Sequence, residues 1–81
     1  MPPQYHTNAR LRQSVLACLY REREAHPEQG WVTERSLKDA CGEDCAFALA
    51  VLVELGQVRR DGYRLLITGV GVLACEQAAQ A

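Results

Sequence analysis

Apolar residues recur in the first third of the chain at Leu11, Val15, Cys18 and Leu19, a spacing that lays one stripe along a helix. Thr7 or Asn8 supplies an N-cap ahead of them, so a helix is predicted from about Ala9 to Glu24. Residues 1–8 carry prolines at positions 2 and 3 and no apolar pattern, and they read as a flexible polar lead. His26-Pro27-Glu28-Gln29-Gly30 joins a helix stop to turn formers, which predicts a loop. Trp31-Val32 is too short for an independent strand and suits a brief bridge at a sheet edge. Thr33 then caps a short helix from Glu34 to about Cys41, with Gly42 just past its end. A third helix follows almost at once, from about Glu43 to Leu55, and Gly56 stops it.

Beyond Gly56 the period becomes alternating. Gln57-Val58-Arg59-Arg60 and Tyr63-Arg64-Leu65-Leu66-Ile67 flank Asp61-Gly62, a strong short-range hairpin signal. In the second strand Tyr63, Leu65 and Ile67 are expected on one face, with Arg64 and Leu66 on the other. Thr68 can cap a last helix through Val70, Leu73 and Cys75, weakened by Gly69 and Gly71 in its first turns. Residues 77–81 are expected to fray. The pattern predicts a mainly α fold with a small β-hairpin.

The chain has 81 residues, enough for one domain and one core. Hydrophobic residues at 48% and charged residues at 23% fit a globular protein and exclude disorder, collagen and coiled coil. The longest apolar stretch, Cys45 to Val53, is far below the roughly 20 residues of a membrane span. The opening Met1-Pro2-Pro3-Gln4-Tyr5 has no apolar run of the signal-peptide kind, so a cytoplasmic protein without a membrane partner is expected. A net charge of −1 excludes a uniformly basic nucleic-acid coat.

Helix, short strand, helix, tight turn, helix, hairpin, helix is also the element order of a winged helix-turn-helix domain, and particular residues carry the resemblance. Leu52-Val53-Glu54-Leu55-Gly56-Gln57-Val58 is similar to the end of that family's recognition helix, where leucines three apart precede a glycine and a β-branched residue. Arg59-Arg60-Asp61-Gly62-Tyr63-Arg64-Leu65 resembles its wing, and Thr68-Gly69-Val70-Gly71 resembles the threonine-x-x-glycine opening of the helix after the wing. The likeness runs from about residue 9 to residue 76, within a single winged-helix domain over 1–81. It implies duplex DNA binding, with the third helix in the major groove and the wing on the backbone or minor groove. Many winged helices bind proteins instead, and a fold alone does not choose between the two.

Charge bears on that choice. Phosphate contacts supply most non-specific DNA affinity, and base readout relies on Arg, Lys, Asn or Gln. The third helix has none of these; it carries Glu43, Asp44 and Glu54. Carboxylates at a helix N-terminus suit its dipole but repel phosphate. Cys45, Ala48, Leu49, Leu52 and Leu55 are expected to face the core, while Glu43, Phe47, Ala50 and Glu54 form the opposite stripe, flanked by Ala46 and Val53. A helix apolar most of the way round is normally covered on both sides. Phe47, Ala50 and Val53 are therefore candidate protein-interface residues, the alternative being a compact domain in which Phe47 tucks against the N-terminal lead. Leu16 and Tyr20 form a second outward pair on the first helix, for the same interface or for packing on the last helix. Arg59, Arg60 and Arg64 are the best candidates for DNA contact, joined by Arg35 and Lys38 of the second helix. Their bland alternative is a solvated surface.

Cys18, Cys41, Cys45 and Cys75 lack the paired knuckle spacing of a structural zinc site and are expected as buried thiols, with no metal and no cofactor. His6 and His26 stand apart from any nucleophile or carboxylate pair, and no phosphate loop or nucleophile elbow is present, so no enzymatic activity is expected. The expected function is a small DNA-binding transcriptional regulator that grips duplex through its basic wing and dimerises through the third helix. The alternative is a winged-helix protein-interaction module that binds no nucleic acid.

Overall fold

The computed structural model describes residues 5–80; the beginning of the predicted lead, residues 1–4, and the last residue of the predicted tail lie outside the described residues. The elements are α1 (Tyr5–Ala25), β1 (Val32–Thr33), α2 (Glu34–Cys41), α3 (Ala46–Glu54), β2 (Val58–Asp61), β3 (Arg64–Ile67) and α4 (Gly69–Gln80). Helices dominate, and the strands form one small antiparallel sheet in the order β1-β3-β2.

Helix α1 is longer than its periodicity predicts. Tyr5 to Asn8 are helical, so Thr7 and Asn8 lie within the helix and do not cap it. No residue between Tyr5 and Asn8 breaks a helix, and the prolines lie upstream. Val15 and Leu19 are fully buried, and Leu11 and Cys18 pack against them. Leu16, expected outward, is only 8% exposed and belongs to the core. The reason is tertiary: α4 packs beside the first stripe and widens the sector of α1 that is covered. Tyr20 packs against the same core, and its hydroxyl donates to the Glu76 carboxylate of α4 at 2.8 Å. Leu16 and Tyr20 thus form a packing contact between helices.

Helix α2 begins and ends as its caps dictate. The Thr33 hydroxyl accepts the Ser36 N–H at 3.1 Å, and Gly42 closes the helix in the left-handed region at φ 75°. The turn that follows delays α3 to Ala46, so Glu43 and Asp44 precede the helix. A carboxylate oxygen of Asp44 accepts the Ala46 N–H at 2.9 Å and serves as the cap that Cys45 does not provide. Cys45, Ala48, Leu49 and Leu52 are buried against α1 and the sheet. Leu55, expected in the core, is 57% exposed, because the helix ends at Glu54 and Gly56 turns the chain toward β2.

The hairpin is displaced by one residue from its predicted position. Asp61 pairs with Arg64, which leaves Gly62-Tyr63 as the loop, with Gly62 at φ 63°. Glycine at the first loop position is what a type II′ turn requires. Tyr63 is therefore a turn residue and exposed, off the core face where alternation alone puts it. Val32, Val58, Leu65 and Ile67 form that core face. The Thr68 hydroxyl accepts the Gly71 N–H at 3.2 Å to open α4, and it donates to the Gly56 carbonyl at 2.6 Å. Helix α4 continues through Gln80, past the predicted onset of fraying. Arg23 of α1 ties the sheet to the helices by donating to the Ile67 carbonyl at 2.7 Å.

Candidate interaction surface

Helix α3 presents two unlike faces. Cys45, Ala48, Leu49 and Leu52 turn inward, and a 100° step per residue then sends Ala46, Phe47, Ala50, Val53 and Glu54 outward. All five are exposed, and Phe47 is 61% exposed. Among the described residues nothing covers the aromatic ring; the first four residues of the N-terminal lead lie outside them. The outward face carries no Lys, Arg, Asn or Gln, and its charges are the Glu54 carboxylate at one end and Glu43 and Asp44 at the other. Asp44 occupies the helix N-terminus, the position that a phosphate uses in anion recognition. The face is apolar along its length and acidic at both ends.

The predicted DNA-contacting residues are divided by the sheet. Paired residues in an antiparallel ladder point to the same side. Arg60 lies opposite Leu65 and so falls on the core side, one pair from the turn of the hairpin. There it forms an ion pair with Glu34 at 2.8 Å and donates to the Gly62 carbonyl at 3.0 Å. Arg59 lies opposite Leu66, and Arg64 lies opposite Asp61, both on the outer face. Arg64 pairs with Asp61 at 2.7 Å and stands 5.0 Å from the centre of the Trp31 ring. Among the described residues Arg59 has no hydrogen-bond or ion-pair partner, and it is exposed. Arg35 and Lys38 are exposed on α2. Ion pairs this exposed contribute about 0–1 kcal/mol, so Arg60 and Arg64 are tethered but not locked.

Sequence periodicity gives no sign of a groove of about 700 Å³ between α1, α4 and the end of α3. Ala9 and Ala17 on one side and Ala74 and Ala78 on the other leave the space, and Leu16, Leu52 and Leu55 line its floor. The concavity arises only from the approach of α4 to α1.

Of the four thiols expected to be buried only Cys45 is; Cys18, Cys41 and Cys75 are half-buried, because they lie at the edges of the stripes that their helices turn inward. Burial, then the neighbouring Cys41 thiol and the nearby Asp44 and Glu43 carboxylates, push the Cys45 thiol up to about 12, and its S–H donates to the Glu43 carbonyl at 3.3 Å. Burial also raises Cys18 and Cys75. The carboxylate of Glu76, accepting its proton, raises the Tyr20 phenol. Among the described residues no group of three or more His, Cys, Asp or Glu stands close enough to hold a metal ion. No helix among them is long and apolar enough to cross a membrane. The chain matches no protein-family model, no curated protein and no solved structure.

Proposed function

We propose that this chain is a winged-helix domain whose third helix docks another protein and does not read base pairs. Three features support the winged-helix assignment: the order α1-β1-α2-α3-β2-β3-α4, the tight turn between α2 and α3, and a hairpin between α3 and α4. One observation carries the function. The exposed face of α3 offers Phe47, Ala50 and Val53 to solvent, with acids at its ends and no Lys, Arg, Asn or Gln to make bidentate contacts with purine edges. Burying the Phe47 ring contributes roughly 2 kcal/mol at about 25 cal/mol per Å², which makes it a strong anchor. Phosphate approaching the same face meets Asp44 at the helix N-terminus. The test replaces Ala50 with a photo-crosslinking amino acid in cells, alone and together with Phe47→Asp. Protein adducts that vanish with Phe47→Asp support docking; adducts to nucleic acid at this position would sink it.

A second reading keeps duplex binding but moves it to the wing. Arg59, exposed and without a partner among the described residues, shares the outer face of the sheet with Arg64, and Arg35 and Lys38 add positive charge on α2. A dimer joined through α3 would bring two wings to one duplex. Binding to random duplex that weakens steeply with salt and disappears in Arg59→Glu supports this reading. Unaltered binding in that variant removes the wing.

A further inference from the structure

Given that α3 is the docking surface proposed above, we infer that its partner is a protein segment with an apolar anchor flanked by lysine or arginine, and not a second copy of this chain. The charge layout carries this. Glu43 and Asp44 stand at the leading end of α3 and Glu54 at its trailing end, all exposed, with no cation on the helix between them. Ala46 to Glu54 spans about 12 Å at 1.5 Å per residue, so the acids bracket an apolar strip two turns long.

A second copy fits this strip badly. A two-fold contact centred on Ala50 pairs the face with itself. Set antiparallel, the helices bring Glu43 and Asp44 of one copy against Glu54 of the other. Set parallel, they bring like ends together. Each arrangement opposes carboxylates across an apolar contact, where fewer water molecules screen them. A segment with cations at each end of an apolar centre reverses the sign at both positions. The relief of the face also suits an inserted side chain. Ala46 and Ala50 lie one turn apart, so two small side chains separate Phe47 from Val53 on the helix surface, and all four are exposed. A leucine or an aromatic ring from the partner packs on the two alanines, beside the Phe47 ring.

The experiment uses two synthetic helical peptides of about 14 residues with one shared leucine-alanine centre, one flanked by lysines and the other by glutamates. Each is titrated into the isotope-labelled full chain while backbone amide shifts are followed. The lysine-flanked peptide is expected to move the amides of Phe47, Ala50 and Val53 and to bind about tenfold more weakly at 0.5 M salt than at 0.05 M. A Glu43→Lys, Glu54→Lys variant is expected to switch preference to the glutamate-flanked peptide. Asp44 is left in place because it caps α3. Equal binding of both peptides at α3 would overturn the charge selection while leaving docking intact. Shifts at α3 from neither peptide would overturn the inference, and crosslinking from Ala50 would still decide the docking role separately. A dimer at about 0.1 mM in sedimentation that Phe47→Asp dissolves would make a second copy the occupant and overturn the inference, at a concentration where only weak association is sampled.

Discussion

Gly71 is the residue whose role alternation and propensity least foretell. In a helix opening it counts as a weakness, yet it is buried, and a Cβ built there would run into the Gln57 carbonyl oxygen and stand 2.6 Å from Ile67 Cγ1. The position demands glycine for closeness, not for a left-handed backbone. Gly71→Ala is expected to lower stability by about 1–3 kcal/mol through overpacking. Gly69, two positions earlier, has nothing within 4 Å of such an atom. Gly69→Ala is expected to be neutral or stabilising by up to about 1 kcal/mol. Thermal unfolding of the two variants checks both expectations, and a similar loss in each would discard the packing account.

Cys45 makes a residue-scale statement about pH. Its thiol is raised in the folded chain from an ordinary 9.0 to about 12, so above pH 9 the unfolded chain loses its proton before the folded one does. Its contribution is fully present below pH 9 and is lost as pH rises through the interval up to about 12. Cys18 and Cys75, also raised by burial, act in the same direction. Denaturant unfolding across this range is expected to show a declining midpoint, with a shallower decline in Cys45→Ala.

At the scale of elements, caps and turns decide where each segment starts. Thr33 and Gly42 bound α2 as their residue types predict, because each acts through its own immediate backbone. The start of α3 was less legible. Glu43 and Asp44 favour a first helical turn, but the left-handed Gly42 leaves them in the reversal, and the Asp44 side chain sets the helix at Ala46. The hairpin slipped by one residue: Asp61-Gly62 is the stronger local signal, yet Asp61 pairs with Arg64 and Gly62-Tyr63 form the loop, a register that keeps Val58, Leu65 and Ile67 on the same side as the predicted one does. Thr68 links two elements at once, capping α4 and holding the Gly56 carbonyl beyond α3. Thr68→Ala removes both bonds and is expected to lower stability by about 1–2 kcal/mol, as read by denaturant titration. Thr68→Ser is expected to restore most of it.

For the whole molecule, the question is which apolar surface the fold covers and which it leaves bare. Leu16 and Tyr20, legible as an outward pair, are taken up by α4; Phe47, Ala50 and Val53 are not taken up by anything in the described chain. Because Phe47 makes no core contact, Phe47→Asp is expected to shift stability by less than about 0.5 kcal/mol while abolishing adducts from position 50. A large loss of thermal stability in that variant would mean that the ring supports the fold. The arginines show the opposite outcome. They cluster in sequence at Arg59, Arg60 and Arg64, but the alternation of the ladder sends Arg60 to Glu34 and leaves Arg59 and Arg64 together on the far side.

By itself the sequence determined the number and kind of elements, the helix caps at Thr33 and Thr68, the inward set Val15, Leu19, Leu49, Leu52, Leu65 and Ile67, and the want of cations on α3. Those follow from periodicity, local hydrogen bonds and the residue types themselves, which act over a few positions. Only the tertiary structure decided that Leu16 is inside, that Leu55 and Phe47 are outside, that Gly71 must lack a side chain, and that Arg60 meets Glu34. Each depends on which distant segment lies alongside, and burial is a property of the neighbour as much as of the residue.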